Sequence, residues 1–287
     1  MYICAFLPDT VTACFSPRPG RGRREAMYMY RWLRRGAAAA LAVLLLWGWA
    51  AAAEPSAHIS PPGAPCDLTP LFSKASLSDE DYLLLLRQTG LGRAGVDGVL
   101  AQSGPEGLVQ MQRQFFAPVS WNCARSTPLT RQETLTAPVA LAPLQDGDVL
   151  VSAASHFFGW RNGHAALVVD AAEGRTLECA MFSAEFGQVS NWAWRANFVV
   201  LRLKNAGQAQ RAAIARQAAR RLLHTPYSIS VGLFSPKGNG SQVPATQCAH
   251  LVWSAFAAFG YDVDATGGGI VTPCDIACSP AFEVVQI

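Results

Sequence analysis

Charge is scarce in this chain. Asp, Glu, Lys and Arg make up 15% of its 287 residues, and the formal net charge is only +3. Even that excess is local, because residues 1–53 hold seven arginines and two acids, and the remainder has a formal charge of −2. No basic stripe interleaved with aromatics runs through it, which argues against a nucleic-acid partner. The one local basic cluster, Arg211, Arg216, Arg220 and Arg221, falls on an expected helix over 208–223 and reads as a solvated face. Internal repeats are absent, which excludes stacked-repeat architectures. No apolar run reaches the roughly 20 residues of a membrane span, since the core from Gly36 to Trp49 is shorter. Structural zinc is disfavoured as well: Cys274-x3-Cys278 has no matching second pair. Neither a metal nor a cofactor is expected, and the sequence sets no oligomeric state.

What is present begins with a leader. Residues 1–26, with Pro8, Pro17 and Pro19 and an arginine cluster, carry no fold signal and read as non-structural or as a misassigned upstream extension. Met27 to Arg35 then forms a basic stretch, Gly36 to Trp49 an apolar core, and Ala50 to Ala53 a run of small residues, the three parts of a signal peptide over about 27–53. A periplasmic or secreted protein starting near Glu54 is the expectation, touching a membrane only if that segment stays uncleaved. No cysteine stands at the cleavage site to carry a lipid.

The residues after position 53 are enough for one core and a smaller annex. Residues 54–138 read as a linker followed by a small helical region. Ser78 caps a helix with acids in its first turn, and shorter helices are expected over 92–103 and 106–116, separated by Gly104-Pro105. This region is expected to brace or line a catalytic domain over 139–287.

Thr246-Gln-Cys-Ala-His-Leu-Val-Trp places Cys248 at the start of an apolar, Ala-rich helix closed by Gly260. Unpaired N–H groups and the positive end of the helix dipole favour a thiolate there. Upstream, Asp146-Gly-Asp-Val-Leu, Gly163-His164-Ala-Ala-Leu-Val-Val and Arg175-Thr-Leu-Glu178-Cys read as short strands ended by turn residues. In an antiparallel meander the start of the second lies beside the end of the third, so His164 and Glu178 can meet. A thiolate, an imidazole and a group fixing its tautomer are the set that cysteine catalysis needs. His250 lies two residues past Cys248 on the same helix and faces elsewhere, so it is not the expected base. The backbone N–H of Cys248 is the expected oxyanion donor, with Gln247 the candidate second. Six cysteines follow position 53. With Cys248 reserved and Cys179 the expected free thiol, Cys66, Cys123, Cys274 and Cys278 leave three disulfide pairings open.

Five motifs in order resemble the circularly permuted papain-like amidases of the YaeF/YiiX type in the NlpC superfamily: the Gly-Asp-Val-Leu strand, the Gly-His-Ala-Ala-Leu-Val-Val strand, Pro226-Tyr227, the Cys-x-x-Leu-Val-Trp helix, and the closing segment from Val271 to Phe282. The resemblance covers about residues 143–287. It implies an α+β fold with an antiparallel sheet packed on the nucleophile-bearing helix, Cys248 as nucleophile, His164 as general base and acid, Glu178 as third member, and Tyr227 near the cleft. Gln247 stands where such proteins often carry an aromatic, and Ala249-His250 where a small hydroxyl residue and an acid are frequent. The resulting expectation is an exported cysteine amidase cleaving cell-wall peptide. The alternatives are a lipid-directed acyl hydrolase or acyltransferase with the same triad, favoured by an apolar groove at Trp192, Trp194 and Phe198, and a non-catalytic binding module.

Overall fold

The computed structural model describes residues 21–52, 61, 63–125, 130–157, 159–238 and 243–287. The chain divides into two units between Ala53 and Glu54. In the first, α1 (Arg21–Ala52) is one continuous helix rich in Ala, Leu and Arg, all strong helix formers. It starts ahead of Met27, inside the stretch expected to lack structure, and residues 1–20 lie outside the described residues. Among the described residues no helix is long and apolar enough to cross a membrane.

The second unit opens with α2 (Thr69–Phe72), α3 (Asp79–Thr89) and α4 (Arg93–Phe115), followed by β1 (Trp121–Arg125) and β2 (Thr130–Leu135). Next come β3 (Val149–Ser152), β4 (Ser155–Phe157), β5 (Trp160–Arg161), β6 (His164–Asp170), β7 (Arg175–Cys179) and β8 (Ala184–Gln188). The chain ends through α5 (Val189–Trp192), β9 (Phe198–Leu203), α6 (Gln208–Leu222), α7 (Cys248–Ala257), α8 (Pro273–Ala277) and β10 (Phe282–Gln286). Local chemistry explains several boundaries. Ser78 and Asp81 form a reciprocal capping box at the start of α3, and Gly90 ends it in the left-handed region at φ 71°. The two helices expected around Gly104-Pro105 are joined in α4 across a kink where Gly104 leaves helical geometry.

Six antiparallel strands form the main sheet in the order β10-β9-β3-β6-β7-β8. Its side chains alternate between two apolar layers. Val149, Val151, Ala165, Leu167, Leu201 and Leu203 pack with Ile214, Ala218, Leu251, Val252 and Phe256 of α6 and α7. Leu150, Ala166, Val168 and Val200 face the other way, against Leu85, Val96, Val99, Leu108 and Met111 of α3 and α4. The architecture is thus α+β in three layers with the nucleophile-bearing helix packed on an antiparallel sheet. Because β6 is covered on both faces, Ala165 to Val168 read as a continuous apolar run rather than as alternation.

Two expectations for residues 54–138 need correction. The region is not purely helical, since β1 and β2 pair with β4 and β5 in a second, four-stranded sheet. β2 pairs with β1 on one side and on the other with β4, which lies beyond position 139, and such non-local pairing outweighs local propensity. Nor does a boundary fall at 138, because α3 and α4 supply one whole layer over the main sheet.

One buried ion pair fixes the start of that sheet. Asp148 is fully buried and accepts from Arg202 Nε at 2.8 Å and Nη2 at 2.7 Å, and from the Gln145 N–H at 2.8 Å. This gives the Asp146-Gly-Asp148 motif a structural role in joining β3 to β9. Arg202→Met should strand the Asp148 carboxylate and lower unfolding stability by about 3–5 kcal/mol in urea titration. Adding Asp148→Asn should restore part of the loss, and an unchanged midpoint in the single variant would refute the assignment.

Candidate active site

Cys248 is the first residue of α7, half-buried, with Gln247 as N-cap in extended geometry. Gln247 Oε1 accepts from the Ala249 N–H at 2.8 Å, so the helix start is anchored while its remaining N–H groups and dipole act on the sulfur. His164 opens β6 and is 7% exposed. The preceding Gly163 adopts φ 73°, and a Cβ there would come within 2.7 Å of the Ser152 carbonyl oxygen, so the close turn into β6 requires glycine. Glu178 pairs in register with Ala166. It therefore shares a face with His164, diagonally displaced by two residues, within reach of a long side chain. His164 Nε2–H donates to Glu178 Oε2 at 2.7 Å, leaving Nδ1 for the hydrogen bond between the imidazole and Cys248.

The charges follow from this contact. Burial disfavours both ionised partners, but hydrogen bonds to Cys248 and Glu178 outweigh it at the imidazole and raise its pKa from 6.5 to about 9. For Cys248 burial again opposes ionisation. The hydrogen bond and charge of His164 prevail over it, with help from the N–H groups of Ala165 and Ala249, and the thiol is held below its ordinary value. Against its own burial, Glu178 is brought from 4.5 to about 2, first by its hydrogen bond and Coulomb attraction to His164, then by Thr176 and Trp192. The directions of these shifts favour a thiolate–imidazolium pair backed by a carboxylate.

Four further residues hold the carboxylate and imidazole, and the sequence reading did not assign them this task. Thr176 Oγ1 and Trp192 Nε1 donate to Glu178 Oε1 at 2.6 and 3.1 Å. The Trp192 ring lies stacked on His164, with centroids 5.7 Å apart at 15°. On Trp192 also rests the Arg195 guanidinium, 4.5 Å from the ring centroid. Its Nη2 is 4.0 Å from Glu178 Oε2, and its buried Nε and Nη1 lack hydrogen-bond partners among the described residues. Gly187, opposite Thr176 on β8, makes room: a Cβ there would meet Glu178 Oε1 at 2.4 Å and Thr176 Oγ1 at 2.7 Å. A glycine inside a strand is the one signal that could have flagged this close approach from sequence.

The structure brings Cys248, His164 and Glu178 together and sets Tyr227 beside them. Tyr227 is half-buried, its backbone bridges to Thr246, and burial, followed by the charge of Cys248, raises the pKa of its phenol. Gln247 is placed differently from the oxyanion assignment. Its Nε2 is spent on the Val271 carbonyl at 2.5 Å, and its oxygen, not its amide N–H, faces the helix start. His250 is turned away into a clamp, with Nε2–H donating to the Lys237 carbonyl at 2.8 Å and Nδ1 accepting from Thr246 Oγ1 at 2.9 Å. His224 is exposed in a turn at φ 63°. Trp192 is fully buried rather than lining a groove, whereas Trp160 and Trp194 are exposed. Cys179 is buried beside the Thr246 carbonyl, and burial pushes its thiol up to about 12. A cavity of about 510 Å³ is lined by Phe115, Phe116, Trp121, Arg195 and Phe198, but not by the triad. Among the described residues no group of three or more His, Cys, Asp or Glu side chains is placed to hold a metal ion.

No known family profile matches the chain, and no curated protein matches it. Among solved structures, the chain is similar to the metalloprotein YiiX from Escherichia coli O157:H7 (DUF1105), with a TM-score of 0.38 and 15% identity over 50% of this chain and 97% of that one.

The alkylation rate of Cys248 against pH reports its ionisation. In the unaltered protein the rate should stay high well below the free-thiol range, and His164→Ala should move the profile up toward about pH 8.5. Glu178→Gln should move it less, because one hydrogen bond to His164 survives. A profile unchanged in His164→Ala would dismiss the ion pair. Stability follows the same groups. The His164 contribution is full below its unfolded value of 6.5 and is lost as pH rises through about 9. That of Glu178 is full above 4.5 and is lost as pH falls through about 2.

Proposed function

We propose that the protein is an exported cysteine hydrolase that cleaves amide bonds, with cell-wall peptide as its leading substrate. The observation that carries the chemistry is the continuous hydrogen-bonded line from Cys248 through His164 to Glu178. The Cys248 thiolate attacks the amide carbonyl carbon and pushes negative charge onto its oxygen, where N–H groups at the start of α7 can stabilise it. The His164 imidazolium protonates the departing amine, leaving a thioester on Cys248. Neutral His164 then takes a proton from water as the water attacks the thioester, and the acid product leaves with the thiolate regenerated. Glu178 holds the tautomer and offsets the imidazolium charge throughout. Export, and with it the choice of cell-wall peptide, rests on the signal-like composition of residues 27–53.

A second reading, hydrolysis or transfer of acyl chains, is favoured by the surroundings of Tyr227. Its N–H donates to the Phe182 carbonyl at 2.8 Å, and Phe182 and Phe234 are 82% and 85% exposed, with Met181, Ile229 and Leu233 also open to solvent. Such a collection of exposed apolar side chains suits an apolar substrate or surface. A binding module without catalysis has less support, because it would leave a buried, charged triad without a task.

Cys248→Ala should abolish turnover, by on the order of 10³-fold or more, while thermal unfolding changes little. Full activity in a folded variant would end the hydrolase reading. For the substrate, peptidoglycan fragments should yield new amino groups, and iodoacetamide pretreatment should prevent this. If acyl chains are the substrate, fatty-acyl esters or amides should instead leave a long-lived acyl adduct on Cys248, seen as a mass increase.

A further inference from the structure

Cys274 and Cys278 are both exposed, and their sulfurs lie 3.9 Å apart at the two ends of the single turn of α8. Residues four apart on a helix have neighbouring Cβ atoms, about 5–6 Å apart, and a disulfide needs about 3.5–4.5 Å, so the bond closes when side-chain rotation is joined by a small backbone shift at the end of this one-turn helix, where Cys278 is already the C-cap. Cys66 and Cys123 sit elsewhere, ahead of α2 and on β1. Proximity therefore favours Cys278 as the partner of Cys274.

The position of this pair matters more than its existence. Thr272 and Asp275 form a capping box that starts α8. The residue just before it, Val271, offers its carbonyl to Gln247 Nε2 at 2.5 Å. Gln247 in turn caps α7 and reaches Cys248 Sγ with its oxygen at 3.5 Å. On the other side Pro273 packs where a Cβ on Gly163, next to His164, would lie 3.2 Å from it. A helix of five residues is too short to hold itself. Whatever fastens α8 also fastens the cap on the nucleophile.

We propose that Cys274 and Cys278 are a redox-modification site, closing to an intramolecular disulfide that secures α8 and, through Val271 and Gln247, the cap on Cys248. The oxidant is a small-molecule or protein disulfide. One thiolate attacks a sulfur of that disulfide, forming a mixed disulfide and releasing one reagent thiol. The second thiolate then attacks the protein sulfur of the mixed disulfide, closing the Cys274–Cys278 bond and releasing the second reagent thiol. The protein gives up two electrons and two protons, and the reagent gains both as two thiols.

The test uses the full chain incubated with oxidised or reduced glutathione, quenched by alkylation and cut with chymotrypsin. The peptide from Asp262 to Phe282 holds Cys274 and Cys278 and no other cysteine. After oxidation it should be lighter by two hydrogens and take no alkyl group, and after reduction it should take two. Separate glutathione adducts on each cysteine, or cross-linking of either to Cys66 or Cys123, would overturn the pairing. The coupling is read as the iodoacetamide rate at Cys248, which should differ about two- to fivefold between the oxidised and the reduced protein, the scale of an N-cap contribution. That dependence on glutathione should vanish in the Cys274→Ser, Cys278→Ser double variant. A closed disulfide with an unchanged Cys248 rate would overturn the coupling. Neither arm requires turnover of a substrate, so failure here and failure of the hydrolase reading are separate results.

Discussion

Everything else at the site depends on how His164 is held between two negative groups in a place that disfavours charge. Water is largely excluded from the imidazole, which alone would leave it neutral. The 2.7 Å contact to Glu178 and the bond to Cys248 reverse that preference. The sequence of constraints then runs outward. Glu178 must be ionised, so Thr176 and Trp192 donate to it. It must also have room, so β8 carries Gly187 beside it. Arg195 supplies positive charge on the far side of Trp192, which steadies the carboxylate while restraining the basicity of the imidazole.

The layered packing supports this by fixing strand register. A slip of one residue between β6 and β7 would send Glu178 to the opposite face and leave His164 unpaired. Such a slip is prevented because both strands are buried on alternating faces by different helices. Leu167 and Leu177 are committed to the α6 and α7 side, and Ala166 and Val168 to the α3 and α4 side. The helical segment ahead of β6 and β7 is therefore part of what aligns Cys248, His164 and Glu178, although it contributes none of the three groups.

How much of this was legible in the sequence depended on whether the cause was local. Cys248 could be read because a helix start is a local event, and His164 with Glu178 because a short meander brings neighbouring strands together. Ser78, Gly104 and the ends of α6 were legible for the same reason. β1 and β2 were not: they pair with each other, but the strand that joins them to a sheet, β4, is encoded more than twenty residues downstream of β2. Trp192 was grouped with Trp194 and Phe198 as the lining of a groove, because nothing local separates the buried Trp192 from the exposed Trp194. Gln247 was assigned through its amide N–H. Which end of an amide faces the nucleophile is decided by the Val271 carbonyl, twenty-four residues away in sequence.

Covering the central sheet on both faces also sets where motion can occur. The backbone of β6 is bonded to β3 on one side and β7 on the other, beneath two apolar layers. Fluctuations that free such a strand tend to coincide with unfolding of the whole unit, whereas segments with few buried contacts open alone. The His164 imidazole and the Glu178 carboxylate thus sit on the least yielding part of the molecule. Cys248 begins α7, whose residues Ala249 to Phe256 are buried in the same apolar layer as β6. Adaptation to a substrate must therefore come from exposed turns outside these elements rather than from the strands and helix that carry the three groups.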